Sequence, residues 1–491
     1  MTDQTRPQPS LLLALTPCAL LLALIGVNVY FFGDDASGGP NQIALLLSGV
    51  FVALLGHFVL KYKYKDIETR AIKSIVLAME AVLILMVVGC LIGLWILSGI
   101  VPTMIYYGIR VLAPNVFLPV ACIVCSVVSL AVGSSWSTMG TVGIALLGIG
   151  RALGFPDPLV AGTIISGAYF GDKMSPLSDT TNLSPGIAGS ELFVHIRHMF
   201  YTTIPSYAIT LILFAGVSLF YTPGEFSTDA IAGILEGIES SFAIRWYLLL
   251  VPLLVILMAA KGVPAIPALV TGALLGAAAA LIFQPMQFLT ELGSPMVWHE
   301  RYMLLLVTAY DGFSLDSSHE MVDALLSRGG LSGMYDTIAL IMTAMLFGGA
   351  MEATGLMPRL AQAILTWVRG KGSLIVATII TSIMFNIFVA EQYLAIVLTG
   401  RMYRGAYKAY RLDPRNLSRA LEDGGTLTSV LVPWNTCGAF AASVLGVSTF
   451  AYLPFCFFNL LSPIVAIAMA AAHIGIKIQK NSPETGTDEV R

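Results

Sequence analysis

The sequence predicts an all-α polytopic membrane protein that consists of two inverted repeats, each with about five transmembrane helices and one re-entrant hairpin. Three observations lead to this prediction. The 491 residues are 57% hydrophobic and only 11% charged, which is far from the composition of a soluble domain. Helix-breaking residues recur at a fixed spacing along the chain, and the distribution of Lys and Arg reverses between the two halves.

Long apolar segments indicate the transmembrane helices. A helix of about 20 apolar residues crosses a hydrocarbon core of about 30 Å. Segments of this length include residues 11–32, 74–97, 200–221 and 451–472. The first of them lacks a Lys/Arg-rich start and an A-x-A cleavage pattern, so we expect it to be retained as a helix.

Helix breakers indicate an internal repeat. The pattern of Gly, Pro and Asp within residues 85–182 recurs without a gap 256 residues later. The corresponding pairs include Gly93 and Gly349, Gly99 and Gly355, Pro102 and Pro358, Pro158 and Pro414, and Asp179 and Asn435. Because the identity of the aligned residues is barely above chance, the evidence is the spacing alone.

The positions of Lys and Arg predict that the two halves have opposite orientations. These residues are concentrated in cytoplasmic loops. Residues 61–73 carry five of them, whereas the corresponding second-half segment, 286–332, is mainly acidic. Residues 401–419 carry six, whereas residues 145–163 contain only Arg151. An inverted repeat explains both contrasts and places both termini in the cytoplasm.

The same patterns divide the chain into three parts. The first half is predicted at residues 1–222 and the second at 246–491, with an extracytoplasmic acidic linker at 223–245 between them.

Each half contains two interrupted segments. Residues 113–150 and 373–400 are too short for two full crossings and too long for one, so we predict a re-entrant hairpin in each. Residues 158–185 and 414–440 are predicted to be broken helices.

Polar residues at these interruptions are the candidate binding site, because paired broken helices mark the binding sites of secondary transporters. Their carboxylate, hydroxyl, amide and carbonyl oxygens are ligands that suit a small hard cation such as Na⁺. A polar surface loop is the alternative interpretation of such a segment. The candidate ion- or substrate-binding residues are Ser134, Ser135, Trp136, Ser137, Asp172, Ser178, Asp179, Thr180, Thr181, Asn182, Asn386, Glu391, Gln392, Thr428, Asn435 and Thr436.

Acidic residues within apolar segments are candidates for ion coupling, since a charge at mid-membrane costs at least about 2.5–3.5 kcal/mol. They are Glu80, Asp172, Asp179, Glu352, Glu391, Glu422 and Asp423. A carboxylate that binds either Na⁺ or a proton is the minimal device for exchange. Glu80 lies close to a helix start and Glu352 close to a helix end, so both have structural explanations as well.

Basic residues near these acids allow two interpretations. Lys173 either forms a structural ion pair with Asp172 or takes part in coupling. We expect His195 and His198 to lie in a solvated cytoplasmic turn, with a pH-sensing role as the alternative.

Other classes of protein lack support in the sequence. No basic stripe with an aromatic platform indicates nucleic-acid binding, and Cys122 and Cys125 have no second pair that would form a zinc site. Residues 133–137 miss the G-x-S-x-G pattern at its last position, and no Walker A loop is present. We therefore expect neither an enzyme nor a cofactor.

Four stretches carry a resemblance to a known family. They are GSSWSTMGTVGIALLGIG at 133–150, ISGAYFGDKMSPLSDTTNLSP at 165–185, EQYLAIVLTGRMYR at 391–404 and LEDGGTLTSVLVPWNTCGAF at 421–440. With them the chain resembles the NhaC-type Na⁺/H⁺ antiporters of the ion transporter superfamily. The resemblance implies exchange of Na⁺ for H⁺ at a bacterial plasma membrane by an elevator-like motion. It also implies relatives that carry organic solutes such as malate, lactate or amino acids.

Two hypotheses follow for the cargo. In the first, Na⁺ and H⁺ share Asp179, with Asn182, Ser135 and Thr180 as further Na⁺ ligands. In the second, Na⁺ drives a small organic solute whose carboxylate is held by helix N-termini, in a pocket lined by aromatic residues. These aromatic residues are Trp136, Tyr393 and Trp434. Assembly as a homodimer is left open.

Overall fold

The computed structural model describes residues 9–220, 228–289, 294–315, 322–323 and 326–479. All structural statements below refer to these residues. Outside them lie the chain start, residues 223–227 of the predicted linker, part of the acidic segment 286–332, and Lys480.

The described secondary structure is helical, apart from three isolated β-bridges. The helices of the first half and the linker are α1 (Leu11–Phe32), α2 (Pro40–Leu54), α3 (Tyr64–Leu77), α4 (Met79–Leu97), α5 (Ile100–Val111), α6 (Pro114–Val132), α7 (Ser135–Thr138), α8 (Ile144–Ala152), α9 (Asp157–Met174), α10 (Asp179–Ala188), α11 (Leu192–Phe220) and α12 (Thr228–Ser241). A π-turn at Met139–Gly143 joins α7 to α8 without a break.

The chain after the linker is also helical. Its helices are α13 (Leu250–Ala260), α14 (Ala265–Phe283), α15 (Trp298–Asp311), α16 (Tyr335–Ala353), α17 (Leu356–Leu365), α18 (Lys371–Phe388), α19 (Gln392–Ala409), α20 (Pro414–Leu421), α21 (Thr436–Leu445), α22 (Thr449–Tyr452) and α23 (Phe457–Ala471). A π-turn at Glu422–Thr426 extends α20.

The helices confirm the prediction of an all-α polytopic membrane protein. Eight described helices are long and apolar enough to cross a membrane, and the number rises to ten if two bent helix pairs each count as one span.

The helix boundaries follow the spacing predicted for the repeat. Helices α4 and α16 both contain 19 residues, and both their first and their last residues are 256 positions apart. The next helix in each half begins after a left-handed glycine, Gly99 with φ 74° and Gly355 with φ 72°. The two halves therefore share a local backbone conformation where their sequences share only glycine and proline.

Beyond the tip of the second hairpin the offset becomes 257, which corrects the predicted gapless alignment. Helices α10 and α21 both contain ten residues and both start 257 positions apart, because one extra residue lies near Val389. Asp179 therefore corresponds to Thr436, and the N-cap residue Ser178 corresponds to Asn435. The predicted pairing of Asp179 with Asn435 is wrong by one residue.

Two helical hairpins fold back at the interruptions seen in the sequence. In the first, Gly150 of α8 packs against Phe117 near the start of α6. In the second, the hydroxyl groups of Thr381 and Tyr403 lie 2.6 Å apart, and those of Thr378 and Tyr407 lie 3.0 Å apart. Residues at equal distances from each tip are therefore neighbours, as in an antiparallel helix pair.

The central helices α4 and α16 each pack against helices of the other half. Helix α16 lies against α2 and α3, and α4 lies against α14 and α15. Glycines permit this close packing: a Cβ on Gly93 would lie 2.5 Å from the carbonyl oxygen of Thr308, and one on Gly349 would lie 2.8 Å from Cα of Ala71. The two halves are thus interlocked through backbone contacts.

Gly349→Ala should destabilise this interlock, because backbone atoms of α3 would have to move. We expect a loss of about 1–3 kcal/mol, the usual cost of overpacking. Thermal unfolding of the purified protein in detergent measures it. Gly216→Ala in α11 is the matched control, since nothing lies within 4 Å of its Cβ. Equal melting temperatures for the two variants would contradict the packing described here.

Candidate functional site

A cavity of about 410 Å³ lies where the two hairpin tips and the two broken helices meet. Four helices begin at its wall, namely α7 at Ser135, α10 at Asp179, α19 at Gln392 and α21 at Thr436. The predicted site residues in its lining are Ser134, Ser135, Trp136, Ser137, Asp172, Ser178, Asp179, Thr180, Glu391, Gln392 and Thr436. Eleven of the sixteen predicted site residues therefore lie together in the wall of one cavity.

The first hairpin tip is fixed by Asp172. Gly133 ends α6 with φ 74°, and a Cβ there would lie 2.7 Å from the backbone of Leu177, so a side chain does not fit. Ser134 then turns the chain and caps α7 by accepting a hydrogen bond from the backbone N–H of Ser137. The backbone N–H and the hydroxyl of Ser135 both donate to Oδ2 of Asp172, at 3.1 and 2.6 Å.

The break between α9 and α10 is stabilised by its own side chains. The hydroxyl of Thr181 donates to the carbonyl oxygens of Asp172 and Lys173 in the last turn of α9. The amide nitrogen of Asn182 donates to the carbonyl oxygens of Pro176 and Ser178, each at 2.8 Å. Neither Thr181 nor Asn182 lines the cavity, so the structure does not bring Asn182 into the predicted Na⁺ ligand set.

The second hairpin tip is capped by Glu391. This side chain is only 4% exposed, and its Oε2 accepts a hydrogen bond of 2.7 Å from the backbone N–H of Leu394 at the start of α19. The preceding residue, Ala390, has φ 61°, and its carbonyl oxygen accepts from the backbone N–H of Thr436. The tip is therefore joined to the start of α21.

Three further predicted residues support the second break from behind the cavity. The amide nitrogen of Asn386 donates to the carbonyl oxygen of Gly425 and to the hydroxyl of Thr428, at 2.6 and 2.9 Å. Asn435 donates to the carbonyl oxygen of Asn386 and caps α21 by accepting from the backbone N–H of Cys437. Asn386, Thr428 and Asn435 thus shape the cavity without lining it.

Asp179 differs from Asp172 and Glu391 in its exposure and in its hydrogen bonds. Asp172 is 8% exposed and Glu391 is 4% exposed, and both bond to helix starts. Asp179 is exposed in the cavity, and its Oδ2 has the hydroxyl of Tyr393 at 3.4 Å. The hydroxyl of Thr180 lies one residue away, within 3.2 Å of that of Ser178. The carboxylate of Asp179 is thus free to bind a cation.

The aromatic residues are divided between wall and scaffold. Trp136 lines the cavity and stacks on Phe440, with ring centroids 4.1 Å apart. Tyr393 also lines it. The indole N–H of Trp434 instead donates to the carbonyl oxygen of Ile387, and Trp434 is not part of the wall. Its predicted place in a solute pocket is therefore wrong.

Three predictions about basic residues are also corrected. Lys173 pairs with Asp423 rather than Asp172, because consecutive residues of α9 point to different sides. His195 and His198 are 0% and 3% exposed on the face of α11 that packs against α20, so they do not form a solvated turn.

Two further segments line the cavity, the α3–α4 corner with Glu80 and the connection from α13 to α14 at 262–265. Glu80 is among the candidate acids for ion coupling, whereas nothing in the sequence indicates that residues 262–265 lie near the hairpin tips. The described residues contain no cluster of three or more His, Cys, Asp or Glu side chains that would hold a metal ion.

The matching family model and the three relatives named below are all antiporters by name. Residues 167–474 match the model of the Na⁺/H⁺ antiporter family. The malate-2H(+)/Na(+)-lactate antiporter of Bacillus subtilis is 41% identical over 88% of this chain and 88% of that protein. The Na(+)/H(+) antiporter NhaC of Alkalihalophilus pseudofirmus is 39% identical over 89% of this chain and 90% of its own. The arginine/ornithine antiporter ArcD of Halobacterium salinarum is 36% identical over 98% of this chain and 96% of its own.

Asp172→Asn should loosen the first hairpin tip, because an amide oxygen is a weaker acceptor than a carboxylate for the two donors of Ser135. A charge-assisted bond contributes about 1.5–3 kcal/mol, so its weakening should speed hydrogen exchange at residues 133–138 by about tenfold. Hydrogen-exchange mass spectrometry measures this rate. Asp179→Asn is the control, since that carboxylate holds no helix start, and it should leave the exchange unchanged. Equal exchange in both variants would show that Asp172 does not anchor the tip.

Proposed function

Because the chain belongs to the Na⁺/H⁺ antiporter family, we propose that it is a secondary active transporter that exchanges Na⁺ for H⁺ across a membrane by alternating access. The observation that carries this proposal is the exposed carboxylate of Asp179 in a cavity where four helices begin.

Electrostatics supports a cation as cargo. Each helix N-terminus carries roughly +0.5 elementary charge, so the four together contribute roughly +2. Asp172, Asp179, Glu391 and Glu80, which also lines the cavity, contribute four negative charges when ionised. About two negative charges are then left over in the cavity, and this excess favours binding of Na⁺ or protons.

The hard oxygens around Asp179 define a Na⁺ site. Asp179 is the charged ligand, and the hydroxyls of Thr180 and Ser135 are neutral ligands in the same wall. These oxygen types suit a small hard cation. A proton on Asp179 removes the charge that attracts Na⁺, so the two cargoes exclude each other and exchange follows. Asn182 acts indirectly, by holding the loop that positions Asp179.

We propose that alternating access depends on the two repeats. The equal helix boundaries and cap angles of the two halves support two inverted repeats, at 1–222 and 246–491. Hairpins and broken helices would move together against the interlocked central helices in an elevator-like motion. The distribution of Lys and Arg places the α3–α4 corner on the cytoplasmic side of a bacterial plasma membrane, so this cavity would open to the cytoplasm.

Asp179→Asn should abolish exchange. We expect the rate of Na⁺-driven dye response in proteoliposomes with a trapped pH dye to fall by at least about tenfold, because a charged ligand is worth about 1.5–3 kcal/mol. Asp336→Asn is the matched control, since Asp336 is also an exposed acid in the first turn of a helix but does not line the cavity. A wild-type rate for Asp179→Asn would refute the assignment.

A second candidate function is Na⁺-coupled transport of a small organic acid or amino acid. Four helix N-termini at one cavity also suit a carboxylate, and the wall includes the rings of Trp136 and Tyr393. Two of the relatives named above carry such solutes by name.

Our main proposal predicts a pH response to a Na⁺ pulse in liposomes that contain no organic solute, because Na⁺ and H⁺ alone complete the cycle. The measurement repeats the dye assay with and without trapped malate, lactate, arginine or ornithine. A response that needs one of these solutes would select the second function instead.

A further inference from the structure

A second buried polar cluster lies behind α9, outside the cavity wall. Its members come from α9, α10, α11, α20, the π-turn after α20, and α23, and their side chains are at most 3% exposed. They are Lys173, Ser184, His195, His198, Thr202, Arg419, Glu422, Asp423 and Ser462. None of them lines the cavity. So many buried ionisable groups away from the cavity require an explanation.

Asp423 in this cluster has three donors on one carboxylate oxygen, Oδ1, whereas its Oδ2 has no hydrogen-bond partner in the described structure. The ammonium group of Lys173 donates to its Oδ1, and both side chains are completely buried. The hydroxyls of Thr202 and Ser462 donate to the same oxygen, at 3.1 and 3.2 Å. This pair joins α9 of the first half to the π-turn after α20 in the second half.

Glu422, the adjacent residue, has fewer hydrogen-bond donors around its carboxylate. Its Oε1 accepts a hydrogen bond of 2.6 Å from the hydroxyl of Ser184. Its Oε2 has no hydrogen-bond partner in the described structure, although the side chain is 0% exposed. A buried carboxylate with one neutral donor is costly to keep ionised, and binding a proton removes that cost.

The side chains around Glu422 are compatible with both its ionised and its protonated form. The charged or titratable side chains on the elements packed around it are Asp172 and Lys173 of α9, His195 and His198 of α11, Tyr407 of α19, and Arg419 and Asp423 of its own segment. With Glu422 ionised, the carboxylates of Asp172, Glu422 and Asp423 face Lys173 and Arg419, so these groups carry a net charge of −1 when both histidines are counted as neutral. With Glu422 protonated, their net charge is zero. Neither state leaves a large unbalanced charge.

We infer that Glu422 is a proton-binding site separate from the Na⁺ site at Asp179. The inference rests on the proposed exchange function and adds a second proton site to it: one proton excludes Na⁺ from Asp179, and another binds Oε2 of Glu422, which changes from carboxylate to carboxylic acid, so that the pH gradient acts on both sites. The two sites communicate through α10. Asp179 begins this helix and Ser184 lies five residues later, about 7.5 Å along the axis. A shift of α10 on Na⁺ binding therefore alters the Ser184–Glu422 hydrogen bond.

Glu422→Gln separates Na⁺ binding from proton coupling. In proteoliposomes we expect it to keep at least about half of the wild-type exchange of ²²Na⁺ for Na⁺ at equal pH, and to lose about tenfold of the Na⁺ uptake driven by a pH gradient. Glu352→Gln, at the end of a helix that packs on α2 and α3, should change neither. Asp179→Asn should lose both.

Two results would overturn the inference. Normal pH-driven uptake in Glu422→Gln would show that the proton binds elsewhere, and loss of both activities in folded protein would place Glu422 in the Na⁺ site. If wild-type protein shows no pH-driven Na⁺ uptake, the proposed function itself fails, which is a distinct outcome.

Ser184→Ala keeps the inference testable if Glu422→Gln does not fold. Removing the hydroxyl donor leaves ionised Glu422 less stable, so the pH profile of exchange should shift to higher pH. A uniform loss at every pH would indicate a structural role for Ser184, and an unchanged profile would show that Glu422 does not titrate during transport. Either result would overturn the inference.

Discussion

The architecture depends on one constraint: four helices begin in the interior of a membrane protein, and the free backbone N–H groups at each start must find partners there. In water such groups are solvated, but in an apolar medium each one left unpaired costs several kcal/mol. Side chains of the interrupted segments accept from three of these starts: Ser134 and Asp172 at α7, Glu391 at α19 and Asn435 at α21. The start of α10 has no side-chain cap in the described structure. The capping side chains therefore fix the hairpin tips and define the cavity.

The far ends of two of these helices complete the electrostatic arrangement. Helix α10 ends at Gly189, against which the guanidinium group of Arg404 lies. Helix α21 ends at Gly446, where Arg328 donates to the carbonyl oxygen of Leu445 at 3.4 Å. A cation at a helix C-terminus stabilises the dipole. Both helices thus direct a positive end into the cavity and have an arginine at the other end, which explains why the cavity needs carboxylates.

Much of this organisation is encoded in residues whose backbone preferences are narrow. Gly99 and Gly355 mark equivalent left-handed positions, and the bounds of α4 and α16 differ by the same 256 residues as the glycine and proline pattern. The offset failed after the second tip, because a single inserted apolar residue leaves no compositional trace. Helical periodicity also does not show which other helix a given helix face packs against. For this reason the partner of Lys173, the burial of His195 and the role of Asn182 as a loop brace could be read only from the structure.

The protein has two acidic regions, one around the exposed Asp179 and one around the buried Glu422, and α10 joins them. In the first, a carboxylate faces a cavity; in the second, a carboxylate is fully buried beside an ion pair. The most direct test of this division is a high-resolution density map of the protein in Na⁺, compared with one in which Na⁺ is replaced by a large organic cation. We predict Na⁺-dependent density between Asp179, Thr180 and Ser135. Density that appears instead beside Glu422 and Asp423 would contradict the account.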